Sequence, residues 1–256
     1  GPVVQVREPN NAVTAYDDED PDMQWRKPMV VVCNRLSASA SEIFAGAIKD
    51  YRRGIVVGDR TTHGKGSVQN VMNVASPISL SRRQRGALKL TISKFYRVNG
   101  DSTQNKGVVS DIVLPSILNN RDIGEDSLDN ALAFDRIRRA KFLPFSSFGN
   151  EDLTQQLALR SQQRVGADPE FQKVQQNISR YLERKNRKTI SLHEETLRKE
   201  EEEIEREREE EEETMKKASG NDDEKELFPK DFYNKELLNI SLDYLDMLKG
   251  QQTVQK

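Results

Sequence analysis

Cysteine and histidine are almost absent from this sequence. Cys33 is the single cysteine, and His63 and His193 are the two histidines. One cysteine cannot form an intrachain disulfide, which excludes the small disulfide-stapled domains. Two histidines and one cysteine also exclude a zinc site rich in His and Cys ligands.

Long apolar runs and an excess of one charge sign are lacking too. No apolar run approaches the ~20 residues of a membrane helix, so we expect no membrane span. The 40 Lys and Arg residues nearly balance the 42 Asp and Glu residues, for a net charge of −2. Without a global basic field we expect no nucleic-acid partner. Since 35% of the 256 residues are hydrophobic and 32% are charged, part of the chain is expected to be solvated rather than packed.

The amino terminus carries no targeting signal in these residues. The chain opens on Gly1-Pro2 and then reads at once like a strand, without a charged region followed by an apolar one. This abrupt start predicts that the sequence is a piece of a longer protein.

The first 120 residues have the pattern of an α/β layer. Short β-branched runs at 30–33 and 55–57 predict buried strands, and 87–96 predicts a strand with one more apolar face. Between the first two strands, residues 41–52 have apolar side chains at helical spacing. The order strand, helix, strand favours a right-handed crossover, so we predict an α/β domain over 1–120.

Residues 121–256 have a helical and charged character. The spacing predicts a helix over 127–139, and Asp168-Pro169 is a cap followed by proline at a first helical position. The Glu-rich stretch 194–213 has too few apolar residues to bury a face, which predicts a solvated helix or a disordered strap. A final helix over about 235–249 is expected to pack through its aligned leucines, which are Leu238, Leu242, Leu245 and Leu248.

A turn rich in small residues joins the first buried strand to the first helix. It places Ser37, Ser39 and Ser41 at alternate positions. Any one of them can be a plain N-cap. A serine at this place can instead be a nucleophile, because the N–H groups that open a helix point outward and stabilise an oxyanion.

A second motif, Gly-Lys-Gly-Ser-Val-Gln at 64–69, follows the strand at 55. It is not a phosphate-binding P-loop, because five residues separate Gly58 from Gly64 and Gly66 follows the lysine. Two interpretations of Lys65 remain: a solvated lysine in a glycine hairpin, or a partly buried lysine that acts as a general base. Burial favours the neutral amine, which is the form a base requires.

Neither histidine is a convincing partner for a catalytic serine. His63 lies two residues before Lys65 in a loop, and His193 adjoins the Glu-rich stretch. A Ser-His-Asp triad needs a positioned imidazole. A Ser-Lys pair therefore fits this sequence better than a triad.

These motifs together resemble the carboxy-terminal processing proteases, peptidase family S41. The resemblance rests on Ser-Ala-Ser-Ala-Ser-Glu-Ile-Phe-Ala at 37–45, Asp-Tyr at 50–51, Val-Val-Gly at 56–58 and the motif at 64–69. Residues 94–108 resemble the stretch that follows the lysine in the tail-specific subgroup. Asp168-Pro169-Glu170-Phe171 resembles its helical C-terminal domain. The resemblance is clear over roughly 1–185 and loose beyond.

The resemblance implies a fold and a set of site residues. The fold is a crotonase/ClpP-like α/β protease core, here partial, followed by a mainly helical C-terminal domain. Ser39 matches the nucleophile and Lys65 the general base. Gln69 matches a residue that orients the lysine, and Asp50 an aspartate implicated in the subgroup. The N–H of Ala40 would supply half of the oxyanion hole. The resemblance implies no metal ion and no cofactor.

The implied activity is that of a serine endopeptidase that cleaves proteins with exposed apolar C-termini. An adaptor protein is a further candidate partner, and the implied location is the bacterial periplasm or cell envelope. In the family a PDZ domain captures C-terminal tails by adding them as a strand. That domain and the glycine-rich turn that completes the oxyanion hole lie upstream of the matched region. We therefore expect these 256 residues alone to be inactive.

Two departures and two alternatives accompany the resemblance. The loop at 59–63 is one residue longer than the family's usual loop, and the upstream regions are missing. One alternative is a non-catalytic relative whose acidic helical tail is a protein-interaction module. The other is an acyl-CoA enzyme of the related crotonase-like fold, which would need adenine and pantetheine contacts that the sequence does not reveal.

The basic cluster at 82–85 is expected to be a solvated loop.

Overall fold

The computed structural model describes residues 1–20, 22–74, 86–219 and 228–254, with the side chains of 210–219 and 251–254 excepted. The basic cluster at 82–85 lies outside the described residues. The strands are β1 (Pro2–Arg7), β2 (Val13–Asp17), β3 (Val30–Cys33), β4 (Ile55–Gly58), β5 (Ser67–Asn73), β6 (Ala87–Tyr96) and β7 (Ile112–Val113). The α-helices are α1 (Ala40–Asp50), α2 (Glu151–Ala167), α3 (Pro169–Asn186), α4 (Glu194–Ser219) and α5 (Phe232–Val254).

A parallel three-stranded sheet of order β3-β4-β7 forms the first layer. Its strands are short β-branched runs, which suit a pleated and buried surface. Helix α1 connects β3 to β4, and its Ala45 packs with Val31, Cys33 and Val56 in one buried cluster. The predicted order of strand, helix and strand is confirmed.

A second sheet is antiparallel and has the order β2-β1-β6-β5. Strand β6 lies centrally and pairs with β1 on one side and β5 on the other. Its last residues, Phe95 and Tyr96, are buried, whereas its first six residues are exposed. Strand β5 begins two residues after Lys65, so this sheet fixes one end of the lysine loop.

The predicted helix over 127–139 is wrong. A short 3₁₀ turn occupies Glu125–Ser127, and the chain after it is irregular. The backbone groups of this segment bond to the turn that follows β6: Ile137 N–H donates to the carbonyl of Gly100 at 2.9 Å, and Ala140 N–H donates to that of Val98 at 2.9 Å. These tertiary hydrogen bonds replace the intrahelical ones that the periodicity suggested.

Helices α2 to α5 make up most of the carboxy-terminal part. Asp168 caps α3 as predicted, because its carboxylate accepts from the N–H groups of Glu170 and Phe171. Phe171 is fully buried and meets the rings of Phe232 and Tyr233 at the start of α5. A mixed α/β core followed by a mainly helical region is therefore confirmed.

Helix α5 packs through a different face from the predicted one. Leu248 is buried as expected, but the other three predicted leucines are exposed, namely Leu238, Leu242 and Leu245. The buried face consists instead of Leu237, Ile240, Tyr244 and Leu248. The physical reason is that this rotation also brings Glu236 and Asp243 to Arg164 of α2, with N–O distances of 2.9 and 2.7 Å.

The Glu-rich stretch is an ordered helix, α4, and it is attached to α3 by charge. Glu207 is 8% exposed and receives the guanidinium groups of Arg180 at 3.3 Å and Arg184 at 2.5 Å. Arg187 reaches Glu200 at 2.6 Å. Of the two predicted states of this segment, a solvated helix and a disordered strap, the helix is the one that forms.

The chain divides into two compact units. The first comprises residues 1–113 and 121–154, and the second comprises 114–120 and 155–256. The short segment 114–120 thus belongs with the helical unit, whereas the irregular chain 121–154 belongs with the sheets. The domain boundary at residue 120, between a protease core over 1–120 and a helical domain over 121–256, stays a prediction.

Candidate active site

Ser39 lies at the turn from β3 into α1, as its N-cap residue. Its backbone has φ 57° and ψ −110°, a region that residues other than glycine rarely adopt. Such strain costs on the order of 1–3 kcal/mol and persists where the surrounding structure imposes it. A strained serine on a strand-to-helix turn is the arrangement by which several hydrolases present a nucleophile.

The carboxylate of Glu42, one turn into α1, is the centre of this turn. Glu42 is fully buried. Its Oε2 accepts from the N–H of Ser39 at 2.8 Å and from the N–H of Lys65 at 3.0 Å. Its Oε1 accepts from the hydroxyl of Thr62 at 2.6 Å and from the N–H of Gly64 at 2.7 Å. One buried side chain therefore connects the serine turn with the lysine loop.

This shared carboxylate brings the two motifs together. Because both bonds end on one oxygen, the backbone nitrogens of Ser39 and Lys65 lie within about 6 Å of each other. All four partners of Glu42 are donors, which matches an ionised carboxylate. Burial raises the pKa of Glu42. The four hydrogen bonds oppose that rise, and they come from Thr62, Gly64, Ser39 and Lys65.

Glu42 was not among the residues predicted for the site. The signal was present, because a serine followed three residues later by glutamate is the pattern of a capping box, in which the glutamate bonds back to the N-cap N–H. That pattern predicts the bond to Ser39. It does not predict the bonds to Thr62, Gly64 and Lys65, which come from a segment 20 to 23 positions further along the chain.

The lysine loop, which we define as residues 63–66, is held on its other side by residues 103–105. Lys65 is half-buried, and its carbonyl accepts the hydroxyl of Thr103 at 3.1 Å. The N–H of Asn105 donates to the carbonyl of Gly64 at 2.8 Å. The loop therefore has fixed backbone on both sides of Lys65.

The long connection before the lysine loop is also tied down. The hydroxyl of Thr61 donates to the carbonyl of Lys106, and the N–H of Thr62 donates to the carbonyl of Val108 at 3.2 Å. The N–H of Ser110 donates to the carbonyl of Arg60 at 3.2 Å. The connection at 60–62 is thus hydrogen-bonded along the segment 106–110.

Asp50 lies at the opposite end of α1 from Ser39. At 1.5 Å per residue the helix separates them by about 16 Å. The carboxylate of Asp50 is bound by the guanidinium of Arg97, with Nε at 3.0 Å. Burial raises the pKa of Asp50, and the charge of Arg97 opposes that rise. The structure therefore does not bring Asp50 to the serine and the lysine.

The other two predicted site residues, Gln69 and Ala40, are both exposed. Gln69 lies on β5, four residues after Lys65 and opposite Thr91 of β6. Ala40 is the first residue of α1. The N–H of such a residue has no acceptor within its own helix, so it is available to an oxyanion.

His63 and Cys33 have other surroundings. The Nε2 atom of His63 lies 3.6 Å from a carboxylate oxygen of Glu125. Cys33 is buried beneath α1, where burial and then the nearby charge of Glu42 raise the pKa of its thiol. A buried thiol of this kind behaves as a packing residue.

The described residues show no metal cluster and no membrane-spanning helix, and one cavity. Within 1–20, 22–74, 86–219 and 228–254, no three His, Cys, Asp or Glu side chains are grouped to hold a metal ion. In the same part of the chain, no helix has the length and apolarity required to cross a membrane. A cavity of about 420 Å³ lies in the helical unit, lined among others by Arg164, Phe171 and Glu236, and contains none of the predicted site residues.

Comparison with known families covers nearly the whole chain. Residues 1–114 match peptidase family S41. Residues 118–246 match the C-terminal domain of tail specific protease. The two matches follow each other in the order that the sequence motifs predicted.

Two curated relatives match long stretches of this chain. A tail-specific protease of Haemophilus influenzae is 38% identical over 96% of this chain and 36% of its own length. A carboxy-terminal-processing protease of Bartonella bacilliformis is 37% identical over 49% of this chain and 27% of its own length. The chain thus spans about a third of the length of these curated relatives.

Among solved structures, a photosystem II D1 C-terminal processing protease has 28% identity and a TM-score of 0.36, over 50% of this chain and 32% of that one.

The match to the tail-specific C-terminal domain covers half of the sequence, and the family S41 match covers most of the rest. With the Haemophilus relative, which aligns along 96% of this chain, these matches show that the chain belongs to peptidase family S41, the carboxy-terminal processing proteases, and to their tail-specific group.

Proposed function

We propose that this chain carries the catalytic serine and lysine of a tail-specific serine endopeptidase. The observation that supports the proposal most is the bridge through Glu42, which links the backbone of Ser39 to that of Lys65. Ser39 has the strained backbone of a presented nucleophile, and Ala40 begins the helix beside it. The fit of these features to a family of proteases makes peptide hydrolysis the best-supported activity.

The proposed chemistry is an acyl transfer in two steps. The neutral amine of Lys65 accepts the hydroxyl proton of Ser39 while Oγ attacks the carbonyl carbon of the substrate. The N–H of Ala40 stabilises the oxyanion. Lys65 then gives the proton to the leaving amine as the peptide bond breaks. Water, activated in the same way, attacks the ester and releases the second product with regeneration of Ser39.

The further roles follow from the family. Gln69 would orient the amine of Lys65, since it lies at the start of the adjoining strand. The name of the Haemophilus relative, tail-specific protease, suggests a preference for protein C-termini. We therefore propose substrates with exposed apolar C-termini, an adaptor as a further partner, and the bacterial periplasm or cell envelope as the location.

The test is a pair of substitutions in the full-length polypeptide. Ser39→Ala and Lys65→Ala should each abolish cleavage of a protein with an apolar C-terminus while the circular dichroism spectrum and melting temperature stay unchanged. Ser41→Ala and Lys89→Ala are matched controls, since both residues are exposed and lie outside the proposed chemistry. Near-normal rates for Lys65→Ala would refute the Ser-Lys pair.

A fluorophosphonate probe distinguishes this proposal from a non-catalytic relative. Only an activated serine reacts with such a probe, so the full-length polypeptide should be labelled at Ser39 and the Ser39→Ala variant should not. A folded polypeptide without labelling would favour a protein-interaction role for the acidic helical tail.

A further inference from the structure

Gln104 is a fully buried amide beside the lysine loop, in the turn at 104–106. Its Oε1 accepts from the N–H of Gly66 at 3.0 Å. Its Nε2 donates to Asn105 Oδ1 at 3.2 Å and to Glu125 Oε1 at 3.3 Å. Both ends of the amide are therefore engaged, and one of them holds the residue next to Lys65.

The contact through Glu125 returns to the lysine loop. The backbone N–H of Glu125 donates to the carbonyl of His63 at 3.0 Å. One chain of hydrogen bonds thus runs from Gly66 through Gln104 and Glu125 to His63. Because it ends two residues before Lys65 and one residue after it, it restricts the loop at its entry and its exit.

The backbones on this side are in direct contact. A Cβ added at Gly66 would lie 2.7 Å from the N of Gln104, and one added at Gly64 would lie 3.2 Å from the Cα of Asn105. The loop has no room to move toward this turn. Gln104 therefore supports a closely fitted backbone, opposite the support that Glu42 provides.

We propose that Gln104 is a positioning residue for Lys65 in the proposed peptide hydrolysis, on which this inference rests. A lysine side chain is flexible, so the distance from its amine to the serine depends on where the backbone holds its Cα. A displacement of about 1 Å in such a geometry costs on the order of 10²-fold in rate. Gln104 touches neither reacting atom; it acts through Gly66 and Glu125.

The first test is Gln104→Met in the full-length polypeptide. Methionine keeps the length of the side chain and loses both hydrogen-bonding groups. We expect kcat to fall ~10–100-fold with KM unchanged, and the rate of fluorophosphonate labelling at Ser39 to fall in parallel. Gln5→Met is the matched control, because Gln5 is also buried in the sheet-bearing unit and bonds to Arg97 instead of the lysine loop. It should leave both rates within twofold.

The second test exchanges the donor and the acceptor of the hydrogen bond between Gln104 and Glu125. Gln104→Glu alone keeps an acceptor for Gly66 but faces Glu125 with a like charge, so the rate should fall. Adding Glu125→Gln restores a donor opposite that acceptor, and we expect the double variant to recover most of kcat. The double variant loses the bond to Asn105 but keeps the link from Gly66 through position 104 to position 125, so it tests the proposal even if Gln104→Met fails to fold.

The outcomes separate this inference from the proposed function. If Ser39→Ala keeps full activity, the proposed function fails. If Ser39→Ala is inactive while folded Gln104→Met has normal kcat and labelling, Gln104 does not position the lysine. Failure of Glu125→Gln to rescue Gln104→Glu would likewise overturn the inference.

Discussion

At the scale of single residues, two buried acids on α1 have different tasks. Glu42, in the first turn, accepts four hydrogen bonds that join the serine turn to the lysine loop. Asp50, at the last turn, pairs with Arg97 and reaches neither motif. Both have a raised pKa because burial disfavours the charged carboxylate. We infer that the first acid organises chemistry and that the second holds the helix in place.

Glu42→Gln should impair activity more than stability. The amide places an N–H against groups that all donate, which leaves at least one buried donor unpaired at a cost of about 1–3 kcal/mol. We expect a fall in kcat of at least ~10-fold and slower fluorophosphonate labelling of Ser39. Glu236→Gln removes a comparably buried carboxylate, in contact with Arg164 in the helical unit, and should lower the melting temperature without changing kcat. Equal kcat in the two variants would contradict this role of Glu42.

Asp50→Asn should act through stability. The substitution leaves the charge of Arg97 without its partner, and breaking a buried ion pair costs on the order of 3–5 kcal/mol. We expect a lower melting temperature, with normal labelling of Ser39 well below it. Loss of labelling at an unchanged melting temperature would show instead that Asp50 takes part in the chemistry.

At the scale of elements, the acidic helix α4 depends on the arginines of α3. The hydrogen bonds from Arg184 and Arg180 outweigh the burial of Glu207 and lower the pKa of its carboxyl. A lowered pKa means that the unfolded chain binds the proton more readily. The stabilisation is therefore complete above the ordinary glutamate pKa and is lost as the pH falls through the lowered value.

Glu207→Gln should loosen α4 from α3. We expect faster hydrogen exchange of the amides at 200–207 at neutral pH, corresponding to about 1 kcal/mol. On acidification, the protection of these amides relative to their intrinsic exchange rate at each pH should fall in the wild-type chain, and it should fall less in the variant. Glu205→Gln changes an exposed glutamate on the same helix and should have no effect. Identical exchange in the two variants would refute the charge-dependent attachment.

At the scale of the whole molecule, activity is expected to require more than these residues. The aligned regions make up 36% and 27% of the lengths of the two curated relatives. The resemblance assigns one oxyanion donor to Ala40 and the second to a glycine-rich turn upstream of the matched region. Absence of one such donor costs ~10²–10³ in rate.

The 256 residues expressed alone should therefore not cleave casein. The measurement is release of labelled peptides, compared with the full-length polypeptide at equal concentration. Circular dichroism serves as the control for folding. Robust cleavage by the short chain would show that its own residues complete the oxyanion hole.

Local sequence patterns determined much of this protein. The β-branched runs predicted β3 and β4, the strand pattern at 87–96 predicted β6, and the Asp-Pro pair predicted the start of α3. Such features depend on backbone preferences and on neighbours within a few residues, which the sequence contains. The serine and lysine motifs were also visible, because each is a contiguous run.

Tertiary structure decided what connects these parts. The segment 127–139 has helical periodicity, yet its backbone bonds to the turn after β6. Helix α5 has apolar residues on two faces, and the face that packs is the one whose burial also pairs Glu236 and Asp243 with Arg164. Glu42 and Gln104 meet the lysine loop from 23 and 38 positions away. A buried polar group must find partners wherever the fold brings them, so no local pattern could specify these contacts.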